Sequence, residues 1–166
     1  MSPTARTVLV TGASAGIGAA LARVYAAAGW DLVLTARRRA PLEALAVELR
    51  QAHGGTVTVL TADLADPDAP DRLVADLSAR GLTIDGLINN AGFSRTAGFL
   101  NTDPAQHAAM IRVMLTAPVA LCRRLAPGMV ERGFGRILNV SSLAGQMWRR
   151  SATGPARPTA RRSRRG

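Results

Sequence analysis

The 166-residue sequence predicts an α/β fold built on a parallel sheet. Three observations carry that expectation. Short apolar runs of strand length alternate with stretches of helical periodicity from Thr7 to Val140. The connections between the runs are long enough for crossover helices, which parallel pairing requires. A glycine-rich turn, Thr11-Gly12-Ala13-Ser14-Ala15-Gly16-Ile17-Gly18, lies between the first apolar run and the first helical stretch. A hydrophobic content of 48% with only 4% aromatic residues suits an Ala/Leu/Val-rich core of this class.

The elements read in order. Thr7 to Thr11 is the first strand, and Gly16 to Ala28 the first helix, closed near Gly29. Asp31 to Ala36 is the second strand, with Leu32, Val33 and Leu34 continuously apolar, as both-face burial demands. Pro41 to Ala52 is a helix whose Leu42, Leu45, Ala46 and Leu49 share a face. Gly54-Gly55 breaks the chain before a third strand, Thr56 to Thr61. Asp68 to Ala79 is the third helix, and Gly86 to Asn89 a short fourth strand. A long helix runs from Asp103 to about Arg132, with Thr102 as its expected cap and Pro118 and Pro127 expected to kink or divide it. Arg136 to Val140 is the fifth strand.

Composition bounds the rest. One domain is the default at this length. No run reaches 18 apolar residues, so no membrane span is expected, and the N-terminus lacks a leader pattern, which points to the cytoplasm. The single cysteine, Cys122, implies neither an internal disulfide nor a metal site. The net charge of +10 is unevenly placed. All 21 basic residues are arginine, and seven of them follow Met147, where no acid occurs. Residues 1–147 carry 14 arginines against 11 acids, a net of +3.

Strand, glycine turn and helix in this order make a phosphate site. Glycine lets the backbone approach an anion without a Cβ clash, and the helix aims unpaired N–H groups at it. The spacing is G-x-x-x-G-x-G rather than G-x-G-x-x-G. Three more clusters fall at the carboxyl ends of strands, where such sheets bind ligands. Arg37-Arg38-Arg39 suits an adenosine 2′-phosphate, an acid there a free 2′-hydroxyl; a solvated basic turn is the bland alternative. Asp63-Leu64 suits an adenine amino group, or simply a turn. Asn89-Asn90-Ala91-Gly92 can fix a turn between strands and leave room for a ring at Gly92.

Taken together, T-G-x-x-x-G-x-G, then D-L, then N-N-A-G, then Asn139-Val140-Ser141-Ser142 resemble the short-chain dehydrogenase/reductase family over roughly residues 5–147. The resemblance implies a Rossmann-type doubly wound parallel sheet, here truncated to about five strands. It implies hydride transfer between a nicotinamide and a small carbonyl or alcohol substrate. Carried over by position, Gly12, Ser14, Gly16, Ile17 and Gly18 line the pyrophosphate, and Arg37 selects NADP, with NAD the alternative. Asp63 and Leu64 hold adenine, Asn90, Ala91 and Gly92 border the nicotinamide ribose, and Ser142 orients the substrate carbonyl.

The family's proton donor is a tyrosine in Y-x-x-x-K, about a dozen residues after that serine. A lysine one turn away depresses the tyrosine pKa toward neutrality. This chain has no lysine, and its one tyrosine, Tyr25, belongs to the first helix, where packing is its expected role. Met114 stands where many members carry a relay asparagine, and a thioether cannot replace that amide. The expected outcome is an inactive product by descent from an NADP-preferring oxidoreductase. A catalytically silent nucleotide-binding or interaction protein is the competing class, and the family's homo-oligomer is doubtful for so short a chain.

Residues 148–166 read as a disordered Arg-rich tail appended to a partial nucleotide-binding domain at 1–147. Nucleic-acid binding through it is the weakest reading, because nothing upstream resembles a nucleic-acid module. Another explanation lies in the codons. Thr153-Gly154-Pro155-Ala156-Arg157-Pro158 can be written ACG GGG CCA GCA AGG CCN. Read one base earlier, with T closing the Ala152 codon, the same letters give Tyr-Gly-Ala-Ser-Lys-Ala, a form of the missing catalytic segment. A slip of frame between about Met147 and Ala152 explains both the absence and the tail.

Overall fold

The first strand is apolar at three consecutive positions, Val8, Leu9 and Val10, all completely buried, and the chain satisfies this by placing it mid-sheet. The computed structural model describes residues 6–94 and 99–142. Its strands are β1 (Thr7–Thr11), β2 (Asp31–Ala36), β3 (Val57–Thr61), β4 (Gly86–Asn89) and β5 (Arg136–Asn139). They form one parallel sheet in the order β3-β2-β1-β4-β5. The order reverses direction at β1, which opens a crevice beside the carboxyl ends of β1 and β4.

Helices cover both faces. α1 (Gly16–Ala27) and α2 (Arg39–His53) pack on the face carrying Val8, Val10, Leu32, Leu34 and Ile88. On the other face, Leu9, Val33, Leu60 and Leu87 meet α3 (Ala69–Ala79) and α5 (Ala117–Glu131). The doubly wound arrangement expected from the sequence is therefore present, and element ends fall within about two residues of the expected ones. The tail expected at 148–166 lies outside the described residues.

The long helix departs from expectation in detail. It is α4 (Pro104–Ile111), a π-helical turn (Arg112–Thr116) and α5, continuous from 104 to 131. Its cap is Asp103 rather than Thr102, the Asp103 carboxylate accepting the Ala105 N–H at 2.8 Å. The π turn ends two residues before Pro118, whose ring would collide with the carbonyl four residues back, that of Met114 in the turn, in a regular helix. Widening the turn accommodates that ring without a break. Pro127 also stays inside α5. By length and composition alone this 28-residue stretch is apolar enough to cross a membrane, with a mean hydropathy of 1.2 over its most apolar 18-residue window. It holds no run of 18 uninterrupted apolar residues, since Gln106, His107, Arg112, Thr116, Arg123 and Arg124 punctuate it. One side of the helix, Val113, Ala117, Leu121 and Met129, is buried in the fold.

At the opposite end from the crevice, polar side chains tie loops to strands. Asp31 accepts the Thr56 N–H, and Asp85 accepts the Thr7 N–H. Tyr25 meets Trp30 edge-on at 5.3 Å, which gives the lone tyrosine the packing role expected of it.

Candidate cofactor site

Four segments converge at the carboxyl ends of the strands. The glycine turn leaves β1 through Gly12 at φ +68° and enters α1 through Gly16 at φ +57°, backbone angles that favour glycine. Close packing makes a second demand. A Cβ on Gly12 would sit 2.8 Å from the Ala91 Cα, and one on Gly18 would sit 2.4 Å from both the Asn90 Nδ2 and the Gly12 carbonyl. A Cβ on Gly16 would meet nothing within 4 Å, so that stretch of backbone faces open space.

Thr11 is the hub of this region. Its hydroxyl donates to the Ile88 carbonyl at 3.1 Å and accepts the N–H groups of Asn90 and Ala91, each at 3.0 Å. The Asn90 amide returns the tie, donating to the carbonyls of Thr11 at 2.9 Å and Gly12 at 3.3 Å. The Ala13 N–H donates to the Thr35 carbonyl, which fixes the turn to β2. The Asn-Asn turn and the glycine turn are thus a single hydrogen-bonded unit. Thr11 is 1% exposed, and sequence reasoning did not count it among the site residues. Its signal was a hydroxyl residue closing an apolar strand immediately before the glycines.

α1 has Ala15 as its N-cap residue, with no side-chain cap and no acid in its first turn. Its leading N–H groups and positive dipole end therefore face the turn uncompensated. Ser14 is half-buried and Ile17 is 60% exposed beside them. A pyrophosphate fits this cradle: open glycine backbone, free N–H groups and no competing carboxylate.

Beyond β2, Arg37, Arg38 and Arg39 are all exposed. Arg39 is engaged with Glu43 at 2.9 Å, while Arg37 and Arg38 form no ion pair among the described residues. Beyond β3, Asp63 is exposed and its carboxylate accepts the Ala65 N–H at 3.0 Å, a turn-forming bond that leaves its second oxygen. The Leu64 side chain is 6% exposed and packs with Ala69, Val113 and Ala117. Its side chain thus packs beneath the turn that carries Asp63.

Beyond β4, Asn89 is buried and Asn90 and Ala91 are half-buried. The Asn89 amide donates to Asn139 at 2.8 Å and points toward the Cys122 sulfur at 3.6 Å, joining β4 to β5 and α5. Gly92 is exposed, and a Cβ there would rest against Met114 at 3.7 and 3.8 Å. Met114 lies in the π turn, so the position aligned with the family's asparagine does overhang the Asn-Asn turn. Ser142 is exposed, three residues beyond β5. Glycine turn and Asn-Asn turn are brought together, Arg37 and Asp63 follow neighbouring strands, and Ser142 follows the far strand.

Known proteins show the same combination. The short chain dehydrogenase family matches residues 6–154. A fatty acyl-CoA reductase of Mycobacterium tuberculosis is 41% identical over 84% of this chain and 48% of its own length. An acetoacetyl-CoA reductase of Allochromatium vinosum is 38% identical over 86% of this chain and 58% of its own. A short-chain dehydrogenase from Sphingobium yanoikuyae, solved with NADPH, superposes with a TM-score of 0.79 at 40% identity, covering 85% of this chain and 55% of that one. The chain therefore spans about half the length of the relatives it matches. With its glycine turn, Asn-Asn turn and sheet order all in place, the chain belongs to the short-chain dehydrogenase family.

Proposed function

We propose that this chain is the cofactor-binding half of an NADP(H)-dependent short-chain oxidoreductase. The observation that carries the reading is the uncapped N-terminus of α1 set behind open glycine backbone, with Arg37 and Arg38 one strand away and in no ion pair among the described residues. Two family members solved with NADPH or NADP bound support it. In this reading the α1 N–H groups and Ser14 hold the pyrophosphate, and the Arg37 fork pairs with the 2′-phosphate. Asp63 accepts from adenine, Asn90, Ala91 and Gly92 border the nicotinamide ribose, and Ser142 orients the substrate carbonyl. The bound cofactor supplies or takes up the hydride.

In this reading the family's Tyr/Lys proton-transfer pair is missing from the given sequence. There is no lysine, and Tyr25 is packed on Trp30 far from the crevice. Binding without turnover follows, which is also what a catalytically silent nucleotide-binding protein would do. Titration with NADPH and NADH, followed by a hydride-transfer assay, tests this. The reading expects NADPH to bind more tightly, Arg37→Glu to remove most of the preference, and no turnover. Equal affinity for both cofactors would overturn the NADP assignment. Nucleic-acid affinity that falls steeply with salt, and is lost on deleting residues 148–166, would instead favour the nucleic-acid reading.

The reading-frame slip belongs to the same proposal. Continued in the shifted frame, Ser163-Arg164-Arg165 can be read as Phe-Ser-Glu, and no stop codon is forced between Thr153 and Gly166. Resequencing the coding DNA decides it. Codons that cannot give Tyr and Lys in that frame would sink the idea.

A further inference from the structure

The outer edge of β3 is open, although both faces of that strand are covered. The Leu32 N–H donates to the Thr56 carbonyl, and the Ala62 N–H to the Ala36 carbonyl. By alternation, Val57, Val59 and Thr61 turn their N–H and C=O groups away from β2. The Arg50 guanidinium donates to one of these outward groups, the Val57 carbonyl, which keeps a second lone pair. Two helix flanks border this edge. Arg50 brings the Glu43–Val47–Arg50 side of α2 there, because positions four and seven residues apart share a helix face. Val47 is 48% exposed on that flank. On the other face of the sheet, Arg72, Ala75 and Asp76 of α3 line a groove of about 310 Å³ that reaches Thr61. Both helices run antiparallel to β3. From the carboxyl end of the strand downward, α2 presents acid, apolar residue and base, and α3 presents base and then acid.

We propose that β3 pairs antiparallel with β3 of a second copy, joining the two sheets edge to edge about a two-fold axis perpendicular to them. Centred on Val59, this register sets Val59 against its own copy and Val57 against Thr61. Opposed residues whose backbone groups face each other exchange both hydrogen bonds, so the open groups of all three residues gain partners. The same axis makes both flanks self-complementary. On α2, Val47 meets Val47 of the second copy, and each Glu43 comes opposite the other Arg50. On α3, each Arg72 comes opposite the other Asp76. The levels agree: Val47 stands about 4.5 Å above Arg50 along the helix, and Val59 about 6.6 Å above Val57 along the strand. This matched order of charge on two separate helices selects a second copy as the occupant. An unrelated extended peptide would satisfy the backbone without matching either flank. Pairing of β3 with β5 of another copy would give an open chain of molecules rather than a closed pair.

Light scattering of the full chain over a range of concentrations, with hydrogen exchange on the same samples, tests this. The expected result is a species of twice the 17.4 kDa chain mass, in which the Val59 and Thr61 amides become protected as concentration rises. Val47→Lys sets two cations beside the axis and should weaken association at least about tenfold. Glu43→Arg should weaken it several-fold, and adding Arg50→Glu should recover part of that loss. Ile137→Lys on β5 and Val24→Lys on exposed α1 should leave association unchanged. Val47 is already about half exposed, so circular dichroism of its variant should match the parent. A monomer at every concentration would overturn the proposal, as would a dimer whose Val59 and Thr61 amides exchange as fast as in the dilute chain. A dimer that Ile137→Lys dissolves and Val47→Lys leaves intact would do the same. Association needs no cofactor, so its failure is separable from failure of NADPH binding.

Discussion

The two edges of the sheet are built differently. β3 ends the sheet with Val57 and Leu60 only 4% and 5% exposed, because α2 and α3 cover its two faces. β5 ends it with all four residues exposed. An edge strand can end a sheet and still be covered, provided both helical layers reach it. The cofactor segments, from the glycine turn to Asp63, stand on the finished side. Ser142 follows the exposed strand β5. The proposed pyrophosphate and adenosine contacts thus stand where both helical layers cover the sheet.

Paired truncations should expose the contrast most strongly. Leu34→Ala, on a completely buried β2 side chain, should cost about 2–5 kcal/mol by transfer and cavity terms. Leu138→Ala on β5 should cost under about 1 kcal/mol, since its side chain is already 41% exposed. Urea melts of both variants measure this, and equal losses would erase the distinction between the edges. Next in size is Thr11→Val, which removes a buried hydroxyl serving three backbone groups. It should cost about 1–3 kcal/mol and loosen the Asn-Asn turn, read as faster hydrogen exchange at Asn90 and Ala91.

The smallest effect is in the titration of surface pairs on the finished side. The Arg23 hydrogen bond holds the Glu48 carboxyl below the usual carboxylate range, and the Asp68 N–H, then Arg72, do the same for Asp66. Groups depressed in the folded state stabilise it fully above the ordinary carboxylate pKa of about 4. That contribution is lost as pH falls through the depressed values. Glu48→Gln and Asp66→Asn should therefore flatten the acid limb of the melting temperature slightly and leave neutral stability almost unchanged. Both pairs are solvent-screened, so a large neutral-pH loss would contradict this assignment.

Much of this was legible in the chain. Continuous apolar runs at Val8–Val10 and Leu32–Leu34 announce strands covered on both faces, and the glycine spacing marks the crevice. The Asn89-Asn90-Ala91-Gly92 turn is readable as a brace, though its partners are not, because Thr11 lies roughly 80 residues away and local patterns carry no such contact. Leu64 reads as a ligand residue by position, yet its apolar side chain follows burial. Asp103 outcompetes Thr102 as a cap through a carboxylate at the right register, and the π turn before Pro118 is a compromise that periodicity cannot foresee.

The most direct measurement is a fluorescence titration of the chain with NADPH beside its Gly12→Arg variant. The account predicts saturable binding by the parent and at least a tenfold loss in the variant, because any Cβ at that position invades the Ala91 backbone. Binding no tighter than that of the variant would contradict the claim that this half-fold holds the cofactor.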